Sequence, residues 1–497
     1  MSQYQIRPLT SADQSLLWEM LYQALYVPPG AAPFAREIVH EPELARLVEN
    51  WGRPGDLGVV AVDPASGVAV GAAWLRLFSA EQPGFAYVDA ETPELGIAVL
   101  AAHRGRGAGT QMLQALLAQA AQQVRQVALS VQRGNPAQHL YERFGFITLR
   151  EEGSALVMLR RVAPAGEVDK VNVCIVGLGW TGSNHYAGYA AIPEKAQVLA
   201  VVARSAVAKA KAKAWGIPKI YSSFDAALQD DEIHALSICT PHYDHAPMLL
   251  AGMAAGKHVI GETPACMTLD ECRALRNALY RHPQVIAATG HICRSWPTFA
   301  HAKQLVSENI VGQVFALSSN YTHKADPQEY AGSAVWGQDP RARLHLGISY
   351  HSVDLLRWIA GDVAEVSGDY TDHARVAVLR FKNGALGHVY QSGSVVQPYM
   401  LPLYVYGLEG SIHCFWEEDV LQGYLHQSAE WRPTNLAATP LHGRGSPEWR
   451  IEMENFVDSI RNGNQPVCPL AEGLATVETC VAIDEAMRIG GRVKVST

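Results

Sequence analysis

The sequence predicts an α/β chain with a mixed α/β unit first, then a doubly wound unit, then a unit with an open, mostly antiparallel sheet. Its 497 residues are too many for one hydrophobic core. The stretch RVAPAGEVDK (161–170) interrupts the hydrophobic periodicity with Pro, Gly and charge. Strands and helices alternate up to about residue 290, whereas strands dominate from about 310. We therefore expect domains at 1–162, 170–290 and 291–497, with a linker at 163–169.

Composition narrows the functional classes. Hydrophobic residues make up 48% and charged residues 18%, which is typical of a globular protein. The net charge of -8 argues against a nucleic-acid partner, because such proteins concentrate Lys and Arg on one face. The start MSQYQIRPLTSADQ lacks a signal-peptide layout, and no apolar stretch approaches the roughly 20 residues needed to span a bilayer. These features predict a cytoplasmic protein without a membrane partner.

The cysteines predict neither disulfides nor a metal site. All eight lie beyond residue 173 at irregular spacing, without CxxC pairs or histidines at metal-binding intervals. We expect reduced, mostly buried thiols.

The elements follow in order along each unit. The first unit begins with a strand (YQIRPL), followed by a helix capped by Thr10 and Ser11. A hairpin (VVAVDPASGVAVGAAWLRLF) and a further strand (ELGIAVL) come next. The unit then continues as helix, strand (QVALSV), helix and strand. The second opens with a buried strand and a glycine turn (VNVCIVGLGWTG). The third contains the strand-rich segments VFALSSNYTH, VAVLRFKNGALGHVYQSG and PLYVYGLEGSIHCF, and ends in a helical pattern.

A glycine-rich loop in the first unit predicts a phosphate site. The segment HRGRGAGTQMLQALLAQAAQQ places small residues between a strand and an amphipathic helix, so that backbone N–H groups and the helix N-terminus face a pyrophosphate. A loop that merely turns the chain is the alternative. The residues predicted to bind the cofactor here are Arg104, Gly105, Arg106, Gly107, Ala108, Gly109 and Thr110, with Asn135 further on.

Together with NPAQHLYERFGF downstream, this loop resembles the GNAT superfamily of N-acetyltransferases over roughly residues 3 to 160. Arg104, Gly107 and Gly109 match the family's acetyl-CoA signature. The resemblance implies acetyl transfer from acetyl-CoA to a primary amine, with Tyr141 protonating the departing thiolate. Glu94, on the preceding strand, is the candidate base. Tyr141 as an ordinary helix residue and Glu94 as a solvated carboxylate are the alternatives.

The second unit carries a dinucleotide motif, GLGWTG. Gly177 allows the tight turn, Gly179 lets the backbone approach the pyrophosphate and Gly182 lets the helix pack on the strand, with Trp180 and Thr181 between them. The next strand ends in Arg204 and Ser205, where an NAD-binding protein usually has an acidic residue. These residues favour NADP over NAD, although an arginine stacked on adenine would suit either cofactor.

Several segments beyond the glycine loop have a recognisable pattern: the turn with Thr240, Pro241 and His245, the AGKHV run, the GISYHSVDLL helix and the FVDSIRNGNQP segment. Through these features the chain resembles, from residue 170 to 497, the Gfo/Idh/MocA family of glucose–fructose oxidoreductase and inositol dehydrogenase. The resemblance implies a Rossmann domain, cofactor contacts from that turn, and an open sheet that holds the substrate and pairs subunits. A homodimer or homotetramer is therefore expected.

The resemblance implies that the loop Glu262-Thr263-Pro264 contacts the cofactor, with Glu262 near the nicotinamide ribose, but the family usually has Glu-Lys-Pro here. Threonine neither holds a charge nor titrates near neutrality, so it cannot replace the lysine as a cationic relay. Simple alcohol dehydrogenation is thereby put in question. We also predict a cis Thr-Pro bond, as in the family.

His351 and Asp354 lie three residues apart in the segment that the family uses for its catalytic His and Asp. Imidazole is suited to take a proton from a carbinol, and the carboxylate is expected to orient it. A surface pair on a helix is the alternative. Tyr350 is a candidate substrate contact, and the candidate pocket-lining residues are His345, Tyr243 and Arg294.

Three functions are consistent with the sequence. The first is a bifunctional enzyme in which an NAD(P)-dependent oxidoreductase for a sugar or polyol is fused to an acetyltransferase, with amino-sugar metabolism supplying both substrates. The second is an NAD-dependent glycosidase or lyase that oxidises its sugar transiently. The third is a non-catalytic regulatory protein that senses the cofactor.

Overall fold

In a computed structural model of the chain, the residues described are 4–28, 30–162, 170–322, 349–395, 400–415, 420–425, 431–435 and 447–495. The chain divides into two compact units, one built from residues up to 168 and the other from nearly all residues beyond it. Among the described helices, none has the length and apolar character needed to cross a membrane.

The first unit is a seven-stranded mixed sheet with helices on both faces. The sheet order is β1-β2-β3-β4-β5-β7-β6. Its strands are β1 (Gln5–Pro8), β2 (Leu57–Val62), β3 (Ala69–Arg76), β4 (Glu94–Val99), β5 (Gln126–Gln132), β6 (Ile147–Glu152) and β7 (Ala155–Arg161). Its helices are α1 (Gln14–Ala24), α2 (Pro42–Ala45), α3 (Ala108–Ala120) and α4 (Ala137–Arg143).

The parallel strands β4 and β5 separate in the middle of this sheet. Their register contains one residue pair, Glu94 with Ala128. The apolar side of α3, including Met112 and Leu116, is buried in one core, while α1 contributes Leu17 to another. The sheet therefore keeps a core on each face even where the two central strands diverge.

The second unit begins with an all-parallel sheet in the order β10-β9-β8-β11-β12-β13. The strands are β8 (Val171–Val176), β9 (Ala196–Val202), β10 (Lys219–Tyr221), β11 (Ala235–Ile238), β12 (His258–Glu262) and β13 (Ala287–Gly290). The helices are α5 (Trp180–Ala190), α6 (Ala206–Ala214), α7 (Phe224–Leu228), α8 (His245–Ala254) and α9 (Leu269–Arg281). The order reverses beside β8, and ligands of such sheets bind where this happens, at the carboxyl ends of the strands.

The rest of this unit is a nine-stranded sheet in the order β21-β20-β19-β18-β14-β17-β16-β15-β22. Only the β14–β17 pair is parallel among its described strands. The strands are β14 (Val314–Thr322), β15 (Val363–Tyr370), β16 (Arg375–Phe381), β17 (Leu386–Ser392), β18 (Leu403–Gly407), β19 (Gly410–Phe415), β20 (Val420–Leu425), β21 (Trp431–Asn435) and β22 (Val493–Lys494). The helices are α10 (Pro297–Ser307), α11 (Ser349–Ala360), α12 (Pro447–Asn462) and α13 (Leu470–Ile489).

The predicted fold class is confirmed in all three parts: a mixed α/β sheet, a doubly wound parallel sheet and an open, mostly antiparallel sheet. The predicted thiols are confirmed as well, since all eight cysteines are free and only Cys239 is not fully buried. The exact domain limits stay a prediction.

Candidate functional sites

The three glycines after β8 have the geometry that a dinucleotide loop requires. Gly177 has a φ of +95°, and a Cβ there would lie 2.8 Å from the carbonyl oxygen of Cys239. A Cβ on Gly182 would overlap the carbonyl oxygen of Gly177, because the helix packs directly on the turn. In contrast, a Cβ on Gly179 would meet no atom within 4 Å. The chain is thus tight where it turns and open where a pyrophosphate would approach the backbone.

Helix α5 begins at Trp180, directly behind this open side. The amine of Lys211 donates to the Leu178 carbonyl (3.1 Å) and to the Ser183 hydroxyl (3.0 Å), which fixes the loop against α5. Thr181 lies in the first turn, and the ring of Trp180 is 72% exposed. An open loop before a helix N-terminus is suited to bind an anion, so these residues fit a dinucleotide.

Arg204 and Ser205 follow the strand β9. Ser205 is the N-cap of α6, and its hydroxyl oxygen accepts a hydrogen bond from the Ala208 amide (3.1 Å). Its hydroxyl hydrogen therefore remains available as a donor. Arg204 is exposed. No carboxylate ends β9, so this position offers a cation and a hydroxyl to the cofactor ribose.

His245 connects two loops at the carboxyl edge of the sheet. Its Nε2 lies 2.7 Å from the carbonyl oxygen of Thr240, and its Nδ1 lies 2.8 Å from that of Pro264. The ring is 1% exposed. The peptide bond between Thr263 and Pro264 is cis, as predicted. His245 thus holds the Thr240-Pro241 turn against the loop that carries Thr263.

His185, which lies inside α5, was not predicted as a site residue. Its Nε2 donates to the Glu262 carboxylate (2.8 Å), and its Nδ1 lies 2.6 Å from the Ser237 hydroxyl. The second carboxylate oxygen of Glu262 accepts a hydrogen bond from the Thr263 amide (3.2 Å). Glu262 is therefore fixed at the end of β12, beside the predicted cofactor site. A lone histidine in a helix carries no sequence signal for such a contact.

His351 lies on α11 and is half-buried. Its Nδ1 is 3.6 Å from the sulfur of Cys293, and its ring stacks on Tyr321 with centroids 5.8 Å apart. Burial lowers the pKa of His351, although the charges of Glu262 and Asp354 oppose this shift. The ring is therefore unprotonated at neutral pH and has a free lone pair.

The Asp354 carboxylate contacts Arg294 rather than His351. The guanidinium donates to both of its oxygens at 2.7 and 2.8 Å, and the Thr476 hydroxyl donates at 2.9 Å. Burial opposes ionisation, but the charges of Arg294 and His291 hold the pKa of Asp354 well below its usual range. Because the oxygens of the buried Asp354 carboxylate accept hydrogen bonds from Arg294 and Thr476, Asp354 influences the pKa of His351 through its charge and not through a hydrogen bond.

Several other predicted pocket residues are engaged elsewhere. Tyr350 is fully buried and donates its hydroxyl to the Gly473 carbonyl (3.1 Å). Arg294 is 3% exposed and committed to Asp354. Tyr243 is 49% exposed, in a short 3-10 helix. His345 lies outside the described residues.

A small polar cavity adjoins these residues. It is lined in part by Thr289, His291 and Glu452. Each of these side chains has a buried polar atom without a hydrogen-bond partner among the described residues. Burial and the nearby charges of Glu262 and Glu448 raise the pKa of Glu452 well above its usual value. The sequence did not single out this cavity, because its residues come from segments far apart in the chain.

In the first unit, the loop before α3 has two glycines in the left-handed region, Gly105 (φ +72°) and Gly107 (φ +90°). A Cβ on Gly105 would meet no atom within 4 Å. Arg104 donates to the carbonyl oxygens of Val99 (3.0 Å) and Gln23 (3.1 Å), which holds the loop. Arg106 is exposed, and the first turn of the helix consists of Ala108, Gly109 and Thr110. The loop fits a pyrophosphate at a helix N-terminus.

Tyr141 and Asn135 lie on and just before α4. Tyr141 is 8% exposed, and its ring packs edge-on against Phe146. Burial raises the pKa of Tyr141, so the phenol stays protonated and able to donate. The Asn135 side chain accepts a hydrogen bond from the Ala137 amide (2.9 Å), which supports the start of the helix.

Glu94, the first residue of β4, is buried beside the point where β4 and β5 meet. One carboxylate oxygen accepts a hydrogen bond from the Ala86 amide (2.9 Å), and the other has no partner among the described residues. A Cβ on Gly84 would overlap the carboxylate. Burial raises the pKa of Glu94 to about 7. Glu94 therefore changes its protonation state near neutral pH, whereas a solvated glutamate does so only at lower pH.

The two cofactor loops define the chain as a nicotinamide-dependent oxidoreductase unit joined to an acyltransferase unit. Family models match in the same order: the GNAT acetyltransferase family at residues 18–146, the oxidoreductase family with an NAD-binding Rossmann fold at 171–291, and the GFO/IDH/MocA C-terminal domain at 299–413. The chain thus consists of a GNAT domain followed by the two domains of the Gfo/Idh/MocA family. GNAT proteins use acyl-CoA.

Relatives of the second unit include dehydrogenases named for levoglucosan and for inositol. Levoglucosan dehydrogenase of Pseudarthrobacter phenanthrenivorans is 25% identical over 375 residues, which cover 62% of this chain and 93% of that protein. The scyllo-inositol 2-dehydrogenase (NAD(+)) of Bacillus subtilis is 23% identical over 349 residues, which cover 65% of this chain and 95% of that protein. A solved levoglucosan dehydrogenase with NADH and levoglucosan has a TM-score of 0.60 at 23% identity, covering 66% of this chain and all of that one.

Proposed function

We propose that the chain is a bifunctional enzyme that oxidises a sugar or polyol carbinol with NAD(P) and acetylates a primary amine from acetyl-CoA. The observation that carries the redox half is the position of His351 on α11, where its ring stacks on Tyr321, its Nδ1 lies 3.6 Å from the sulfur of Cys293, and burial lowers its pKa. Relatives named for levoglucosan and inositol support a cyclic polyol as the substrate class.

In the redox half, bound NAD(P)+ supplies the hydride acceptor. His351 takes the proton of the substrate hydroxyl as hydride leaves the same carbon, so that the carbinol becomes a carbonyl. Glu262, held by His185 and the Thr263 amide, would accept a hydrogen bond from the cofactor ribose or from the substrate. Thr263 contributes a hydrogen bond but no charge.

In the acyl half, acetyl-CoA supplies the acyl group. Glu94 accepts the proton that the amine loses on attack, and Tyr141 donates a proton to the departing thiolate. The raised pKa of Glu94 makes it a stronger base than an exposed glutamate. An amino sugar has both a carbinol and an amine, which is why we propose it as the shared class of metabolite.

Glu94→Gln is expected to reduce the kcat of acetyl transfer by about a hundredfold or more, because the amide cannot accept the proton. Glu94 is ionised only above its pKa of about 7, so wild-type activity should fall as pH drops below that value. The variant should lack this acidic limb. Acetyl-CoA consumption measured from pH 5.5 to 9 tests the prediction, with the exposed Glu91→Gln as the matched control. An unchanged acidic limb in Glu94→Gln would remove Glu94 from the mechanism.

Arg204→Ala is expected to raise the KM for NADP+ about tenfold or more while changing the KM for NAD+ little, because only NADP carries the 2′-phosphate. The control is Lys209→Ala, a half-buried residue of the adjacent helix whose amine contacts Ser222. Steady-state kinetics with each cofactor give the ratio of the KM for NADP+ to the KM for NAD+ in both variants. An equal effect on both cofactors would assign Arg204 to adenine stacking instead.

Thr263 favours a second candidate, a glycosidase or lyase in which bound NAD oxidises the sugar transiently. The missing lysine removes the cationic relay of a simple dehydrogenase. Cofactor turnover separates the two functions. A dehydrogenase reduces one NAD(P)+ for each carbinol oxidised, whereas a glycosidase releases product without net NADH.

We also propose a homodimer or homotetramer paired through the open sheet. Val376 and Val378 on β16 and Leu386 on β17 lie on one face and are 38%, 42% and 43% exposed. These exposed apolar side chains, on a face that also carries the exposed Arg380 and His388, support subunit pairing. Native mass spectrometry of the purified chain would give the subunit count and would show whether NAD(P) and CoA co-purify.

A further inference from the structure

His291, Cys293 and His351 form a cluster beside the predicted substrate site. His291 directly follows β13, Cys293 lies in the 3-10 helix Ile292–Ser295, and His351 lies on α11. One potential ligand atom from each side chain lies within 4.8 Å of the other two. We propose that these three side chains bind a divalent cation of the zinc class.

The spacing between the ligand atoms matches tetrahedral zinc. With zinc bonds of about 2.3 Å to sulfur and about 2.0 Å to nitrogen, the tetrahedral geometry puts the two ligand atoms roughly 3.5 Å apart. The sulfur of Cys293 and Nδ1 of His351 are 3.6 Å apart. One ligand atom from each of the three side chains lies within 4.8 Å of the other two, so small side-chain movements would complete the set.

His291 provides an independent indication of a ligand. Its ring is 1% exposed; Nδ1 lies 3.1 Å from a carboxylate oxygen of Asp354, and Nε2 has no hydrogen-bond partner among the described residues. Burying an imidazole in this way is unfavourable unless something else binds it. The contact of Nδ1 with Asp354 is the arrangement in which a carboxylate supports a histidine that binds a metal through its other nitrogen, here Nε2.

The donor set selects the metal. Two imidazoles and one sulfur suit zinc and cobalt, whereas magnesium and calcium prefer oxygen ligands. Three protein ligands leave a fourth position open. The other cluster of potential ligands, His185, Glu262 and Glu452, fits less well, because both nitrogens of His185 already have partners at 2.6 and 2.8 Å.

Metal binding would change the role of His351. A ring coordinated through Nδ1 retains its proton on Nε2, so it cannot accept the proton of a substrate hydroxyl. The metal-loaded protein is therefore the less active oxidoreductase, a consequence that rests on the proposed function. The proposed metal-binding site is independent of that function.

Metal binding can be tested directly on the full chain after removal of metals with a chelator. Titration with Zn²⁺, followed by elemental analysis, should give one tightly bound ion per chain. Titration with Co²⁺ should produce the intense near-ultraviolet band of a thiolate–cobalt bond together with visible bands of tetrahedral cobalt. Cys293→Ser should remove the thiolate band, and His291→Gln should weaken Co²⁺ binding at least tenfold.

Cys414→Ser is the matched control, because Cys414 is a buried, free cysteine in β19. It should keep both the stoichiometry and the spectrum. Wild-type protein without a thiolate–cobalt band, or a band that survives Cys293→Ser, would overturn the site. If one of the two variants, Cys293→Ser or His291→Gln, fails to fold, the wild-type cobalt spectrum and the other variant still test the site.

The catalytic consequence has a separate readout. One equivalent of Zn²⁺ should lower the rate of carbinol oxidation at least tenfold in wild type but not in His291→Gln. A bound ion that leaves the rate unchanged would refute the effect on His351. A metal-free protein without oxidation activity would refute the proposed function, while the cobalt spectrum would still decide the metal site.

Discussion

His351→Ala is expected to lower the kcat of NAD(P)+-dependent carbinol oxidation by about 10²- to 10⁴-fold in metal-free protein, the range typical of losing a general base. The alanine side chain cannot accept the proton of the substrate hydroxyl. The cofactor loop lies on other elements, so the affinity for NAD(P) should not change. Stopped-flow reduction of NAD(P)+ measures the hydride step, and fluorescence titration with NAD(P)H measures cofactor binding.

The pH profile of this reaction gives a second readout. Because burial lowers the pKa of His351 below the ordinary histidine value, the active unprotonated form should persist to mildly acidic pH and be lost only as pH falls further. His351→Ala should lack this acidic limb. His301→Ala, a half-buried histidine on α10, is the matched control. Oxidation by His351→Ala at the control's rate would exclude His351 as the base.

Asp354→Ala is expected to destabilise the second unit by about 3 to 5 kcal/mol, because the substitution leaves Arg294 buried without its carboxylate. Urea unfolding or hydrogen exchange of the second unit measures this effect. Asp354 has a lowered pKa, so its stabilisation is present above the unfolded value of about 4 and is lost only as pH falls through the lower folded value. The loss in Asp354→Ala should therefore be constant across neutral pH.

The exposed Asp372→Ala is the control for this substitution and should change stability little. The experiment also separates two roles of Asp354. If Asp354→Ala is as stable as the control but the acidic limb of carbinol oxidation moves, Asp354 tunes His351 and does not anchor Arg294. A large loss of stability in protein that still oxidises substrate at low denaturant supports the anchoring role.

The two cofactor loops could be predicted from the sequence because their chemistry is local. A strand, a glycine turn and a helix N-terminus are contiguous in both units, and the backbone within about ten residues decides whether a phosphate can approach. The three sheets were predictable for a related reason, since alternating or continuous apolar residues report how many faces of a strand are buried. Glu94 was identified as a candidate base, but its raised pKa comes from burial in the fold, where Gly84 lies against the carboxylate, and the hydrogen bond from the Ala86 amide opposes this shift.

The sequence by itself determined the order of the domains, their sheet types and the two phosphate-binding loops. The tertiary structure decided which side chains meet between elements: Asp354 with Arg294, sixty residues apart, and Glu262 with His185, seventy-seven apart. It also brought His291 and Cys293 beside His351, where cysteine and histidine spacing had predicted no metal site. The physical reason is that strand order and helix packing set such distances, and these depend on contacts throughout the chain that no local pattern encodes.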